Sequence, residues 1–287
     1  MTNVKSLIRA TDPAAKPTVI ALHCSGATGS EWRELERQLG HRFSLIAPDL
    51  IGSGTNPHWT GGDAYSLSDE AAGIIHLIDA VKRPVHLVGH SYGGAVAIRI
   101  ALERPAQVAS LTLYEPVAFH ILKISGIDGK AALVEITELA DNLRRFVLSG
   151  DTDTAAMLFV EFWNGKGSWA ALRKEARAEL VRYIPKVCLE FSAALNERTP
   201  LHSYRRFNFP TLLLHGENAP ESTKTIARQL AKAMKYASPQ TVYGAGHMGP
   251  FSRATLVGGM MRDWIVRAEP SIPADERDIA SNFDLVA

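Results

Sequence analysis

The sequence predicts an α/β protein: a mostly parallel, doubly wound sheet with helices on both faces and a helical cap inserted into it. Three observations lead there. Short apolar runs rich in Val, Ile and Leu alternate with longer amphipathic stretches. The runs lack strict polar/apolar alternation, as expected of strands covered on both faces. One interval of about ninety residues, after the fourth run, has no good strand signal and reads as helices. Strand then helix, repeated, implies βαβ crossovers and a parallel sheet.

Taken in order, the first run is 18–23 (TVIALH), followed by a helical pattern over 30–39. The second, 43–48 (FSLIAP), leads to a helix over 68–81, and the third, 85–89 (VHLVG), to one over 92–104. The fourth run is 111–114 (LTLY). Runs at 211–215 (TLLLH) and, more weakly, 241–243 precede helices over 222–236 and 252–267. Serines open several of these helices, where a hydroxyl can accept from free backbone N–H groups. Between the fourth and fifth runs, helices are expected over 130–148, 152–164, 169–184 and 188–197, separated by Gly150, Gly165, Gly167 and Pro185. A crossover needs only about a dozen residues, so this interval is read as an insertion rather than further helices of the main layer. The expected organisation is a core of 1–116 and 209–268, a helical cap of 117–208 and a tail of 269–287. The tail has few apolar anchors and is expected to be loosely held or to act as an arm on a partner, which leaves a homodimer open.

Composition removes several functional classes. With 46% apolar and 21% charged residues and a net charge of +1, the chain has ample core and is not disordered. Lys+Arg at 31 against Asp+Glu at 30 leaves no electrostatic surplus for nucleic acid or an anionic membrane surface. Two cysteines, Cys24 and Cys188, make no disulfide framework and read as buried thiols of a reducing compartment. No secretory h-region or membrane-length apolar run is present. The expectation is a soluble cytoplasmic protein acting on a small molecule.

The chemistry concentrates in Gly89-His90-Ser91-Tyr92-Gly93-Gly94, between the third strand and its helix. G-x-S-x-G is weak alone and specific in a strand–turn–helix context. A sharp turn there strains the Ser backbone and exposes Oγ at the carboxyl edge of the sheet, above a helix start. A serine nucleophile needs a general base. Of ten histidines, His247 sits in Gly244-Ala-Gly-His-Met-Gly-Pro250, just past the last strand, where a Gly-rich loop can present an imidazole to Ser91. The remaining histidines read as structural, and no HExxH pattern or Cys/His cluster suggests a metal. An oxyanion needs N–H donors. The loop His23-Cys24-Ser25-Gly26 after the first strand offers the Ser25 N–H, and the residue after the nucleophile offers the Tyr92 N–H. Cys24 has no base beside it and is not the nucleophile.

Together these features resemble the α/β-hydrolase family over nearly the whole chain. The motifs are the oxyanion loop, Ala47-Pro48-Asp49-Leu50-Ile51-Gly52-Ser53-Gly54 after the second run, the Ser91 turn and the His247 loop. The resemblance implies the α/β-hydrolase fold with eight strands, a cap after the sixth of them, a Ser–acid–His order and no cofactor. It also implies that Asp49 is a structural turn residue. Two departures stand out. Cys24 replaces the usual Gly of the oxyanion loop, and Ala219 stands where the triad acid is expected after the strand at 211–215. Glu115, at the end of the run before the insertion, is the leading substitute, since some family members carry the acid there. Glu217, Asn218 and Glu221 are the alternatives, and no carboxylate at all is the third. Trp32, Phe119, His120, Trp163 and Met248 are the candidate substrate-lining side chains. The functional expectation is a serine hydrolase of a small, partly apolar carbonyl substrate, most simply a carboxylic ester. Alternatives are C–C hydrolase, lyase or haloperoxidase-like chemistry in the same pocket, or a ligand-binding protein with little turnover.

Overall fold

The computed structural model describes residues 16–270. Six strands form one sheet: β1 Thr18–Leu22, β2 Ser44–Ile46, β3 Val85–His90, β4 Val108–Tyr114, β5 Thr211–Gly216 and β6 Ala237–Val242. Their spatial order is β2-β1-β3-β4-β5-β6, and every neighbouring pair is parallel. The expectation of eight strands is therefore corrected to six among the described residues. Residues 1–15 lie outside them.

The unbroken apolar character of the strands follows from burial on both faces. Along β1, Ile20 and Leu22 face one apolar cluster while Val19 and Ala21 face the other. In β5, Leu213 faces the first and Leu212 and Leu214 the second. The first cluster is closed by α2 (Leu67–Ala80), α3 (Ser91–Glu103) and α7 (Glu221–Ala233), and the second by α1 (Arg33–Leu39) and α8 (Ala254–Ala268). α2 begins at a capping box in which Ser66 and Asp69 satisfy each other's backbone N–H.

The interval between β4 and β5 is helical, with α4 (Gly126–Leu148), α5 (Thr152–Asn164) and α6 (Lys174–Asn196) as its long members. The expectation that Pro185 separates two helices does not hold, because α6 runs through it. An interior Pro forfeits one backbone hydrogen bond and costs about 3 kcal/mol. Here Pro185 lies on the exposed side, where the carbonyl left over can turn to water, while Ile184 and Val187 stay buried. The strand expected at 241–243 is longer, Ala237–Val242; Pro239 and half-exposed polar residues conceal it, as befits an edge strand. At the end of α8, Glu269 is buried and reaches His86 Nε2 at 3.1 Å, so the expected tail is anchored at its first residue. Residues 271–287 lie outside the description. No helix among the described residues is long and apolar enough to cross a membrane.

Candidate active site

Parallel strands bring their carboxyl ends to one edge of the sheet, and open α/β sheets use that edge for ligands. The expected residues meet there. Cys24 and Ser25 follow β1, Ser91 follows β3, Glu115 follows β4, and His247 follows β6 after a short turn.

Ser91 opens α3 with φ of 53°. A non-glycine residue there is strained and persists only where its surroundings impose it. The glycine beside it is required by space, because a Cβ on Gly93 would collide with the carbonyls of Leu22 and His23. The only other non-glycine residue of positive φ among the described residues is Glu115, at 43°. Its N–H donates to the Leu214 carbonyl, and the Val117 N–H two residues on donates to the Ser91 carbonyl at 3.1 Å, so the chain just past Glu115 is tied to the strained Ser91.

The side chains form a line. His247 Nε2 is 2.9 Å from Ser91 Oγ, and His247 Nδ1 is 2.7 Å from Glu115 Oε2. All three are buried, with Glu115 wholly so. Glu115 is further held by the Gly216 N–H on Oε1 at 2.8 Å and by the Thr223 hydroxyl on Oε2 at 2.9 Å. Burial pushes its carboxyl up, but the hydrogen bond and charge of His247 and these two donors hold it below the usual range. Burial likewise disfavours the imidazolium and keeps His247 below its ordinary value against the pull of Glu115. At neutral pH the arrangement is a carboxylate, an imidazole protonated on Nδ1, and a hydroxyl facing a free Nε2. The alternative acids do not reach it. Glu217 accepts from the Gly244 N–H, Glu221 pairs with Arg228 on the surface, and Ala219 is buried.

A second His–Glu pair, which sequence reasoning missed, stands behind the first. His90 Nδ1 lies 2.6 Å from Glu31 Oε1, and His90 Nε2 lies 2.9 Å from the His247 carbonyl oxygen. Glu31 Oε2 accepts from the Cys24 N–H at 2.9 Å. The pair thereby joins the β1 loop, the Ser91 turn and the His247 loop. Cys24, Glu31 and His90 bring ligand-type atoms within 4.8 Å of one another. Hydrogen bonds already occupy both Glu31 oxygens and both His90 nitrogens. Burial and Glu31 push the Cys24 thiol well above its ordinary value, which leaves it un-ionised. His23 donates from Nδ1 to the Cys24 carbonyl and accepts the Leu50 N–H on Nε2, while Asp49 Oδ1 accepts the Gly29 N–H. The Tyr114 hydroxyl donates to the Gly246 carbonyl and fixes the approach to His247. The sequence carried one signal for this pair: acidic Glu31 beside apolar Trp32 just past a buried strand.

Two cavities meet at Ser91. A broad one of about 660 Å3 includes Ser25, Ser91, Trp163, His247 and Met248. A narrow one, with about 10 Å3 open to a water-sized group, includes Ser25, Ser91, Tyr92, Phe119 and Glu190. The Tyr92 N–H lies in the first turn of α3, where no intrahelical acceptor exists. Trp163 stacks on the His247 ring at 4.0 Å between centroids. Trp163, Phe119 and Met248 thus border the space around Ser91. Trp32 and His120 do not border either cavity. Trp32 packs in the apolar cluster of α1 and α8. His120 is bonded to the Tyr204 hydroxyl at 2.9 Å and pushed by burial to about 4, as a neutral core histidine.

Comparison with known proteins agrees with this architecture. The sequence model of a family described as "Alpha/beta hydrolase family" matches residues 19–257. The putative carbamate hydrolase RutD of Variovorax paradoxus is 27% identical over 281 residues, 91% of this chain and 97% of that protein. Lipase LipV of Mycobacterium tuberculosis is 35% identical over 105 residues, and the match spans only 36% of this chain and 39% of the lipase. Among solved structures, MGS-M2, an alpha/beta hydrolase enzyme from a Medee basin deep-sea metagenome library, superposes with a TM-score of 0.74 at 12% identity, covering 89% of this chain and 91% of that one.

Proposed function

The chain belongs to the alpha/beta hydrolase family, and from that premise we propose that it is a serine hydrolase of a small carbonyl substrate, working through an acyl-enzyme. One observation carries the reading: Ser91 Oγ, His247 and Glu115 lie in a single hydrogen-bonded line with spacings of 2.9 and 2.7 Å.

In the proposed reaction Ser91 Oγ attacks the carbonyl carbon as His247 Nε2 takes its proton. The resulting oxyanion is held by the N–H groups of Ser25 and Tyr92. Glu115 stabilises the imidazolium and keeps its tautomer. The tetrahedral species collapses, and His247 returns the proton to the leaving group, which departs as an alcohol or amine. A water molecule then gives its proton to His247 and attacks the acyl-enzyme. Collapse of the second tetrahedral species releases the acid and restores the Ser91 hydroxyl. Helices α4 to α6 act as a cap over this edge, and Trp163 on α5 covers one face of the catalytic imidazole. No cofactor enters the scheme.

An ester is the simplest substrate. A carbamate is the second reading, favoured by the nearly full-length relationship to a protein named as a putative carbamate hydrolase. Ala219 and Cys24, the two departures from the family pattern, favour a non-catalytic binder; that reading loses force because a carboxylate meets His247 from another strand. The test is hydrolysis of short p-nitrophenyl esters by the wild type and by Ser91→Ala. Loss of turnover in the variant supports the reading, and full turnover overturns it.

A further inference from the structure

Because α6 continues through Pro185, it carries Tyr183, Lys186 and Glu190 inward on one side, at positions i, i+3 and i+7. Lys186 Nζ lies 2.8 Å from Glu70 Oε2 and 3.1 Å from Glu190 Oε1. The Tyr183 hydroxyl donates to the same Oε1 at 2.5 Å, and the Tyr65 hydroxyl donates to Glu70. Burial lowers the Lys186 pKa, but the two carboxylates outweigh it and hold it above its ordinary value. One buried ammonium therefore serves two buried carboxylates. Both donors to Glu190 converge on Oε1. Its Oε2 is buried without a hydrogen-bond partner, on a residue 1% exposed. Buried acceptors are almost always paired, so an open one calls for a missing donor.

Glu190 borders the narrow cavity beside Ser91, whose other walls include Phe119, Phe159 and Phe191. A substrate held at Ser91 can place one part in each cavity. His247 borders the broad one and does not border the narrow one. A leaving group that takes its proton from His247 departs through the broad cavity. The acyl substituent then occupies the narrow one, with Ser25 and Tyr92 beside the carbonyl. The space there suits a group the size of a water molecule.

We propose that Glu190 Oε2 selects substrates whose acyl side carries a small hydrogen-bond donor, an O–H or N–H, close to the reacting carbonyl. This rests on Ser91 being the nucleophile. The donor completes the pairing of the carboxylate, whereas a methyl group of the same size leaves it bare. Sites built around such a bond reject the analogue that lacks it more strongly than apolar pockets reject an added hydroxyl.

The test uses near-isosteric phenyl esters with the purified full chain. Phenyl glycolate is compared with phenyl propionate, and phenyl carbamate with phenyl acetate. For the glycolate and propionate pair each kcat/KM is normalised to the ester's rate with hydroxide; the carbamate and acetate pair is compared directly, because an N–H carbamate reacts with hydroxide by elimination. In at least one pair the donor-bearing member should be preferred by about 10-fold to 100-fold. The pair that responds tells a 2-hydroxyacyl from a carbamoyl substrate. In Glu190→Gln, which exchanges part of the acceptor for a donor, the preference should fall to within about threefold. Rapid fluorophosphonate labelling of Ser91 with a wild-type preference below 10-fold in both pairs overturns the inference; it would mean that Oε2 is met by a trapped water. If the variant does not fold, the wild-type ratios decide alone. Absence of both labelling and hydrolysis would instead overturn the serine-hydrolase reading beneath it.

Discussion

Two histidines stand with ring centroids 5.1 Å apart at the carboxyl edge of the sheet. Each has Nδ1 on a buried glutamate, at 2.7 Å for His247 and 2.6 Å for His90. Residue type, burial and first partner are the same, and the second partner differs. His247 Nε2 faces the Ser91 hydroxyl, which can give up a proton. His90 Nε2 faces the carbonyl of His247, which can only accept one, so that nitrogen must carry hydrogen. The first pair is free to move a proton in and out. The second has nowhere to send one and works as a brace between three loops. A buried His–carboxylate pair is thus not a catalytic signature in itself; the group on its far nitrogen decides.

This contrast can be broken experimentally at each member. The largest effect belongs to Ser91→Ala, which should cut kcat at least about 10^4-fold while leaving the fold intact by circular dichroism. Glu115→Gln should lower kcat about 10^2-fold to 10^4-fold in steady-state assays with p-nitrophenyl esters. Because Glu115 raises the imidazole pKa against burial, the acid limb of the remaining activity should also move to lower pH. On the brace, Glu31→Gln should cost roughly 1–3 kcal/mol of stability in a denaturant titration, with a smaller loss in kcat, about 10-fold. An Glu31→Gln loss equal to that of Glu115→Gln would erase the distinction between the two pairs.

The wild-type pH profile sharpens the same point. In the proposed reaction the neutral imidazole is the active form, and burial holds His247 below its ordinary value. kcat/KM should therefore be flat through neutrality and fall only on the acid side of the ordinary imidazole range. The smallest effect is expected at Asn218→Ala, within about twofold, because Asn218 bonds through its backbone N–H to the Ala245 carbonyl and stands outside the Glu115 line. A large loss there would move the acid function to the loop after β5.

Much of this arrangement was legible in the chain. Gly89 to Gly94 between a buried strand and a helix, and His247 in a glycine-rich loop after the last strand, mark positions that local sequence dictates. Glu115 was reached through the family resemblance, helped by the fact that a charge just past a buried strand and before Pro116 needs a partner, while the loop after the strand at 211–215 stayed open. Two things were not legible. Glu31 and His90 meet across 59 residues, and their contact depends on the packing of β1 beside β3. The Glu70–Lys186–Glu190 cluster joins α2 to α6 and required α6 to pass unbroken through Pro185, against the local preference of proline. Trp32 and His120 failed as pocket residues for the same reason: aromatic and imidazole side chains near a site serve equally well in the core.

The central claim is that Ser91 is the proton-linked nucleophile and that the Glu115–His247 pair, not Glu31–His90, activates it. Fluorophosphonate labelling followed by peptide mass mapping tests this most directly. The account predicts one adduct, on Ser91, absent in Ser91→Ala and slowed far more by Glu115→Gln than by Glu31→Gln. Labelling at another residue, or labelling equally slowed by both glutamate variants, would contradict it.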